Sequence, residues 1–229
     1  MNNGSKWLID PRATGVPTPA GQPPVSAPRR PDGWIPTAEC GDPLEPLADS
    51  LASLPVYFRE NWPGATSSII VRREVNLRLQ EAQRRLPPNF GLVVLDAWRS
   101  LTLQRALFDH YYADVKELPP GYVSDPADSK WSPPHLTGGA VDITLSWDGA
   151  ALSLGTDFDS FEKEAWIDAL ERDDVKEPER SLRRLLTHVL TQAGFCPYPQ
   201  EWWHFSYGDQ LWAFNYGRQE AVYGPVEKP

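Results

Sequence analysis

Cysteine is scarce in this sequence of 229 residues, where Cys40 and Cys196 are the only two and no Cys-x-x-Cys pair occurs. Two isolated cysteines exclude a disulfide framework, so we expect small buried or spectator side chains rather than metal ligands. Long apolar runs are also missing, and none approaches the ~20 residues that a membrane span requires. No apolar signal segment follows Met1. These absences predict a cytoplasmic protein without a membrane partner.

Positive charge is in deficit as well. The chain has 22 Lys and Arg against 31 Asp and Glu, a net charge of −9 at pH 7. This balance argues against nucleic acid or an anionic membrane surface as a partner. Hydrophobic residues, by contrast, make up 41% of the chain, which is enough for a packed core. The length fits one substantial domain with an appendage, and it indicates no oligomeric state.

Proline is concentrated near the N-terminus, where residues 10–36 contain eight prolines. With Gly, Ala, Thr and Ser between them, this composition predicts an extended, polyproline-like arm. Such an arm either stays a disordered tail or packs along the body, and the sequence leaves both open. We therefore divide the chain into a Pro-rich arm, residues 1–40, and one folded domain, residues 41–229.

Hydrophobic periodicity predicts an α+β domain. Val75, Leu79, Ala82 and Leu86 recur at helical spacing before Pro87 ends the pattern. Short apolar or alternating runs predict strands instead. The predicted helices span residues 72–86, 101–112, 159–170 and 180–193, and the predicted strands span residues 56–58, 92–95, 140–145 and 202–207.

A first polar cluster places His135 and Asp142 on either side of Gly138 and Gly139. In a strand over residues 140–145, Asp142 lies on the face opposite the larger apolar side chains. The two glycines permit a tight turn that brings His135 back beside Asp142. A neutral imidazole and a carboxylate are a partial ligand set for zinc.

A second cluster, around His204, can complete this set. His204 alternates with aromatic residues, which puts it on the polar face of the last predicted strand. Glu201 precedes it by three residues, so a turn or bulge is needed to bring both side chains into one cavity. Three protein ligands leave a position for water, and Glu201 would then be the general base.

Each cluster alone has a simpler interpretation. Asp142 could be an ordinary turn residue, and either histidine could be solvated or held in the core. Both clusters together, each on the polar face of an apolar strand, favour a site for one Zn²⁺ per chain.

Four ordered segments also carry a family resemblance. They are Glu60-Asn61-Trp62-Pro63-Gly64, Leu95-Asp96-Ala97-Trp98-Arg99, Leu154-Gly155-Thr156-Asp157-Phe158-Asp159, and the split signature His135-x-x-Gly138-x-Ala140-x-Asp142 with Glu201-x-Trp203-His204. This pattern resembles the VanX-type D-alanyl-D-alanine dipeptidases, a family of zinc D-Ala-D-Ala metallopeptidases. The resemblance covers roughly residues 50–210, and four segments in the correct order make it more specific than either half of the zinc signature alone.

The resemblance implies a role for each residue of the split signature. His135, Asp142 and His204 match the zinc ligands, and Glu201 matches the catalytic base. Arg99 matches an arginine that stabilises the oxyanion of the tetrahedral intermediate, a role that suits its fixed cationic fork. On spacing alone, Arg99 would be a solvated residue after a strand.

Substrate contacts follow less directly from the resemblance. Asp159 matches an aspartate that pairs with the substrate's free amino group, although its spacing alone favours a helix N-cap. The family has a substrate-binding serine two residues before the first zinc histidine, where this chain has Pro133; its serine is Ser132. Tyr57 is a candidate for the family's N-terminal substrate-contacting tyrosine.

The resemblance implies hydrolysis of a small dipeptide, D-Ala-D-Ala or a close analogue. The implied fold is α+β of the hedgehog/D,D-peptidase type, in which a small antiparallel sheet carries the zinc site and helices flank it. The alternatives are a D,D- or L,D-carboxypeptidase acting on peptidoglycan peptides, a related enzyme recruited to another small amide, and a non-catalytic zinc-binding module. Glu201 and Arg99 count against the last, because a structural zinc needs neither.

Overall fold

The computed structural model describes residues 7–31, 33–114, 118, 121–128, 130–172, 174–175 and 177–228. Its α-helices are α1 (Val56–Arg59), α2 (Arg73–Arg84), α3 (Leu101–Asp109), α4 (Glu179–Gln192) and α5 (Gln210–Asn215). Its strands are β1 (Leu44–Pro46), β2 (Ala52–Ser53), β3 (Ile70–Arg72), β4 (Phe90–Asp96), β5 (Ala140–Trp147), β6 (Ala150–Ala151), β7 (Cys196–Tyr198) and β8 (Glu201–Ser206). None of the helices in these ranges has the length and apolarity to cross a bilayer.

Strand β5 lies in the middle of the main sheet. The strand order is β2-β4-β5-β8-β7, and β6 pairs with the end of β5. The short β2 runs parallel to β4, while the other pairs in this sheet are antiparallel. Strands β1 and β3 form a separate antiparallel ribbon. The predicted α+β fold with a small, mainly antiparallel sheet is confirmed.

Helices α2 and α4 cover one face of this sheet. Val141, Ile143 and Leu145 of β5 belong to the same core cluster as Leu79 of α2 and Leu186 of α4. All five side chains are fully buried, and burial of an aliphatic side chain stabilises a fold by about 1.5–3 kcal/mol. With this face filled by apolar contacts, the opposite face of β5 is left for polar side chains.

Most of the predicted elements are present at nearly the predicted positions. Helices α2 and α4 match the helices predicted over residues 72–86 and 180–193, and β4, β5 and β8 match three predicted strands. Ser100 caps α3, since its side chain accepts a hydrogen bond of 3.1 Å from the backbone of Leu103. Helix α3 ends earlier than predicted and continues as a π-helical turn over His110–Asp114.

Two predicted elements are wrong. The strand predicted over residues 56–58 is the helical turn α1, in which Arg59 and Glu60 donate back to the carbonyls of Pro55 and Val56. Pro55 fixes the backbone at the start of this turn. The β-branched and aromatic composition of the run misled the prediction.

The helix predicted over residues 159–170 is a short 3-10 turn, Lys163–Ala165, between irregular turns. The buried guanidinium of Arg183 donates to the backbone carbonyls of Leu154, Glu164 and Trp166. A distant side chain therefore satisfies backbone groups that a helix would pair internally, and the local pattern could not reveal it.

The described part of the Pro-rich arm packs along the body. Ile9 forms a parallel bridge with Leu152, and Leu8, Val16 and Val25 are buried in the main core cluster. The division of the chain at residue 40 remains a prediction.

Candidate metal and catalytic site

Two neighbouring strands and a preceding turn bring the three predicted ligands together. Asp142 on β5 and His204 on β8 are direct partners in the antiparallel ladder. His135 lies in the 3-10 turn Pro134–Thr137 that leads into β5. These three form the one group of metal-capable side chains found among the described residues, and their ligand atoms lie within 4.8 Å of one another.

The diglycine makes this turn possible. Gly138 ends the 3-10 turn with φ +72°, a left-handed conformation that glycine adopts without strain. At Gly139, a Cβ atom would lie 2.3 Å from the carbonyl oxygen of Tyr207. The backbones therefore approach each other so closely that no larger residue fits between His135 and Asp142 at this point.

The spacing of the ligand atoms fits a tetrahedral ion. His135 Nε2 lies 3.2 Å from His204 Nδ1 and 3.4 Å from Asp142 Oδ1, and His204 Nδ1 lies 3.2 Å from Asp142 Oδ1. Two ligand atoms at about 2.0–2.1 Å from a tetrahedral ion are about 3.3 Å apart. Asp142 Oδ1 is buried and has no hydrogen-bond partner. Because buried carboxylate oxygens rarely remain unpaired, this donor set fits a cation.

Neighbouring groups orient both imidazoles. His135 Nδ1 lies 2.7 Å from the carbonyl oxygen of Ala97 and 3.4 Å from the carboxylate of Asp96. Since a carbonyl only accepts, Nδ1 carries the proton and Nε2 presents its lone pair to the cluster. His204 Nε2 lies 3.3 Å from Ser206 Oγ, which leaves Nδ1 for the same purpose. Such outer partners are a regular feature of metal-binding histidines.

The charges of the cluster suit a cation. Burial acts to raise the pKa of Asp142, but His135, His204 and Arg99 together hold it well below its ordinary range. Burial lowers the pKa of His204. At neutral pH the site therefore presents an ionised carboxylate beside a neutral His204 imidazole, the protonation states that a metal requires.

An irregularity in the sheet brings Glu201 to the ligands. Pro197 of β7 faces Phe205 of β8, but the next residue, Tyr198, faces Glu201. Residues 202–204 thus have no counterpart on β7, and Glu201 Oε2 lies 3.8 Å from His204 Nδ1. The turn or bulge that the sequence required is present. Burial, and then the charges of Asp142 and Asp159, raise the pKa of Glu201 well above its ordinary range.

Arg99 contacts the ligand cluster from the other side. Its Nη2 donates to Asp142 Oδ2 at 3.1 Å and its Nε to Asp96 Oδ2 at 2.6 Å. Its backbone N–H also donates to the carbonyl of His135. Nη1 has only a long contact of 3.5 Å with Gln104 Oε1. Arg99 therefore orients a ligand and keeps donor capacity at the cavity wall, and it is not the solvated residue that spacing alone suggested.

Tyr57 and Asp159 form the far wall of the cavity. The Tyr57 hydroxyl donates to Asp159 Oδ2 at 2.8 Å and lies 3.3 Å from Arg99 Nη2. Asp159 has φ +58°, and its carboxylate does not cap a helix. Burial raises the pKa of Asp159 to about 7, although the positive charge of Arg99 acts to lower it.

Ser132 does not join this group. The cavity is lined by Pro133 and Pro134, whereas Ser132 lines a neighbouring groove. The backbone N–H of Ser132 donates to Gln210 Oε1 at 3.0 Å.

Three lining or supporting residues had no predicted role. Asp96 lies in the segment Leu95–Arg99, which carries part of the family resemblance, so the sequence contained a signal for its role. Gln104 and Tyr198 carried none. The Tyr198 ring packs against the His204 ring at 5.5 Å between centroids.

The cavity that joins these residues is small. Its volume is about 60 Å³, room for roughly four to six water molecules. Tyr111, Phe161 and Trp203 add aromatic walls. The arrangement can hold a metal ion beside a buried carboxyl group, a guanidinium and a second carboxyl group, all facing a compact ligand.

Two known proteins of the same name are similar to this chain in sequence. A protein named D-alanyl-D-alanine dipeptidase from Synechocystis sp. is 31% identical over 243 residues, covering 87% of this chain and 98% of the relative. A protein of the same name from Enterococcus faecalis is 25% identical over 160 residues, covering 62% of this chain and 75% of the relative.

Among solved structures, the vancomycin resistance D,D-dipeptidase VanXYg, in complex with a D-Ala-D-Ala phosphinate analog, is 22% identical. The match covers 72% of this chain and 59% of that one, with a TM-score of 0.38, which is too low to add to the fold assignment.

Residues 62–221 match the peptidase family M15, described as D-ala-D-ala dipeptidase. This range includes Arg99, all three ligand candidates and Glu201. The chain therefore belongs to the D-Ala-D-Ala dipeptidase family of metallopeptidases.

Proposed function

We propose that this protein is a zinc-dependent dipeptidase that hydrolyses D-Ala-D-Ala or a close analogue. The observation that carries the proposal is the unpaired, buried Oδ1 of Asp142 between two histidine nitrogens, with Glu201 in the same cavity. The stereochemistry rests on the two relatives, both of which are named D-alanyl-D-alanine dipeptidase.

His135, Asp142 and His204 would hold the metal. Two imidazoles and one carboxylate at tetrahedral spacing are typical of catalytic zinc, which keeps one position open. A zinc ion bound there supplies Lewis acidity, polarising the scissile carbonyl and lowering the pKa of a water molecule.

Glu201 would move the proton. Its carboxylate accepts the proton of the attacking water and returns it to the leaving amine as the peptide bond breaks. Burial, and then the charges of Asp142 and Asp159, raise the pKa of Glu201, which makes its carboxylate a stronger proton acceptor.

Arg99 would stabilise the developing oxyanion. Arg99 lines the cavity, its Nη1 has only a long contact with Gln104, and its other donors hold Asp96, Asp142 and Tyr57. A guanidinium fixed in this way needs little reorganisation in the transition state, which is the source of its catalytic effect.

Asp159 would bind the free amino group of the substrate. Its buried carboxylate, held by Tyr57, has no ion-pair partner among the described residues and can pair with an ammonium group. Because this carboxyl group lines the cavity, the site favours a dipeptide with a free amino group over the long peptidoglycan peptides of a carboxypeptidase.

A panel of D,D, L,D and L,L dipeptides tests the proposal. Zinc-loaded protein should release amino acid from D-Ala-D-Ala, and prior chelation should abolish the release, which zinc should then restore. N-acetyl-D-Ala-D-Ala should be a poor substrate, because it has no ammonium group for Asp159. Zinc-loaded protein that cleaves no dipeptide of the panel would contradict the proposal, as would faster cleavage of the acetylated form.

A further inference from the structure

A second groove opens beside the catalytic cavity. Its volume is about 630 Å³. The groove and the cavity share one wall, which is formed by Gly121, Val123, Ser124, Pro134 and Tyr198. The mouth of the groove, where these residues lie, therefore adjoins the catalytic cavity.

The Pro-rich arm contributes one cation to that mouth. Arg30 lines the groove, and its guanidinium carbon lies 5.9 Å from the centroid of the Tyr198 ring. Its Nη1 lies 3.7 Å from the point where a Cβ on Gly121 would be. Since Tyr198 also packs against the ligand His204, Arg30 is one aromatic ring away from the metal cluster.

The arm is held in place next to Arg30. The backbone N–H of Arg29 donates to Asn215 Oδ1, and Asn215 Nδ2 donates to the Arg29 carbonyl, both at 3.1 Å. Gln210 Nε2 donates to the carbonyl of Ile35 at 2.6 Å. These hydrogen bonds fix the chain on both sides of Arg30, so its side chain extends from an anchored backbone.

Arg30 has no carboxylate partner among the residues that the structure describes. Asp125 and Asp128 line the same groove, but their carboxylates accept backbone hydrogen bonds within their own loop, from Ala127 and from Lys130 at 2.7–2.8 Å. Arg30 contacts the neutral side chain of Tyr198, so its positive charge is still available to an anionic ligand.

The charges of the two ends are complementary to a zwitterionic dipeptide. Asp159 lines the cavity but not the groove, and Arg30 lines the groove but not the cavity. The ammonium and carboxylate groups of an extended dipeptide are separated by about 7 Å. Pro133, in the cavity wall, offers a carboxylate neither a hydroxyl nor an N–H donor.

We propose that Arg30 binds the C-terminal carboxylate of the substrate, so that the Pro-rich arm determines specificity for a free acid. This proposal rests on the dipeptidase function proposed above. It makes the arm part of the substrate site, in which Asp159 selects the amino end and Arg30 selects the carboxyl end.

The test compares D-Ala-D-Ala with its C-terminal amide in wild type, Arg30→Gln and Arg30→Lys. For an exposed cation, we expect Arg30→Gln to raise KM for the acid about fivefold to tenfold with kcat unchanged. KM for the amide should not change. Arg30→Lys should recover part of the loss, because the charge is kept and the fork is not.

Arg29→Gln is the matched control, because the Arg29 guanidinium carbon lies 5.3 Å from the centroid of the Phe214 ring and the side chain does not line the groove. This variant should leave both KM values unchanged. Equal KM values for the acid in wild type and Arg30→Gln would overturn the assignment, and so would parallel increases for acid and amide. Wild type that cleaves neither compound would instead contradict the dipeptidase function itself.

Discussion

Asp142 divides its two carboxylate oxygens between two neighbours. Oδ2 accepts from Arg99, and Oδ1 faces His135 and His204. His135, His204 and Arg99 together keep the carboxylate ionised, and the hydrogen bond from Arg99 fixes its rotation, so that the second oxygen is presented to the histidines. A cation at the cluster would therefore meet a ligand set that is already oriented.

The buried carboxyl group of Asp159 lowers the free energy of unfolding once it is ionised. Its folded pKa of about 7 lies above the ordinary value of about 3.9. The folded protein therefore keeps a proton that the unfolded chain loses, and the free energy of unfolding falls as the pH rises through this window.

Asp159→Asn removes this pH-dependent loss of unfolding free energy. In chelated protein, its advantage in unfolding free energy over wild type should grow by about 2–3 kcal/mol between pH 5 and pH 8. Urea unfolding at both pH values measures it. Asp148→Asn is the control, because Asp148 is exposed and also has a positive φ of 47°. An advantage that is the same at both pH values would show that Asp159 has no raised pKa.

At the scale of elements, the site lies where regular structure is interrupted. The diglycine turn before β5 places His135 beside Asp142. The three residues of β8 that have no partner on β7 bring Glu201 close to His204. A regular two-residue alternation would send these side chains to opposite faces. The irregularities are therefore what makes the site possible.

Gly139→Ala should damage the turn. The added Cβ would meet the Tyr207 carbonyl at 2.3 Å, and neither backbone can move easily. We expect a loss of about 3 kcal/mol in unfolding free energy, together with weaker zinc binding. Gly149→Ala should cost only about 1 kcal/mol, since its φ is +82° but its Cβ meets nothing within 4 Å. Denaturant unfolding that ranks the two variants in the opposite order would contradict this account.

Sequence patterns predicted most of the regular elements, because these are encoded in local spacing. They predicted the ligand cluster from the polar residues of two separate segments, residues 135–142 and 201–204. The periodicity of α2 and α4 and the alternation in β8 are properties of single segments. The helix predicted over residues 159–170 is absent for a different reason. Arg183 on α4 donates hydrogen bonds to backbone carbonyls that would accept from backbone N–H groups in a helix. The roles of Asp96 and Tyr198 likewise depend on partners distant in sequence.

At the scale of the whole molecule, the Pro-rich arm shares the core with the body. It contributes Leu8, Val16 and Val25 to the same cluster as the sheet. Composition alone could not decide between a tail and a packed arm, because a few apolar residues among many prolines suit both. The contacts of Leu8, Val16 and Val25 with the body distinguish a packed arm from a tail, and the sequence does not reveal them.

Leu8→Ala tests the contribution of the arm to stability. Leu8 is 5% exposed, and truncation of a buried leucine costs about 2–5 kcal/mol. Thr18→Ala, at an exposed position of the same arm, should leave the unfolding free energy unchanged. Thermal or urea unfolding of both variants gives the answer, and equal stability of all three proteins would mean that the arm does not contribute to the core in solution.

The central claim is that Glu201 moves the proton at a zinc ion held by His135, Asp142 and His204. The most direct test measures D-alanine release from D-Ala-D-Ala together with the zinc content of wild type and Glu201→Gln. Glu179→Gln serves as a control that removes another buried glutamate, one that pairs with Arg12 outside the cavity. The account predicts that Glu201→Gln keeps one zinc per chain and loses activity by about 10²–10⁴-fold, whereas Glu179→Gln remains active. Full zinc with undiminished turnover in Glu201→Gln would contradict it.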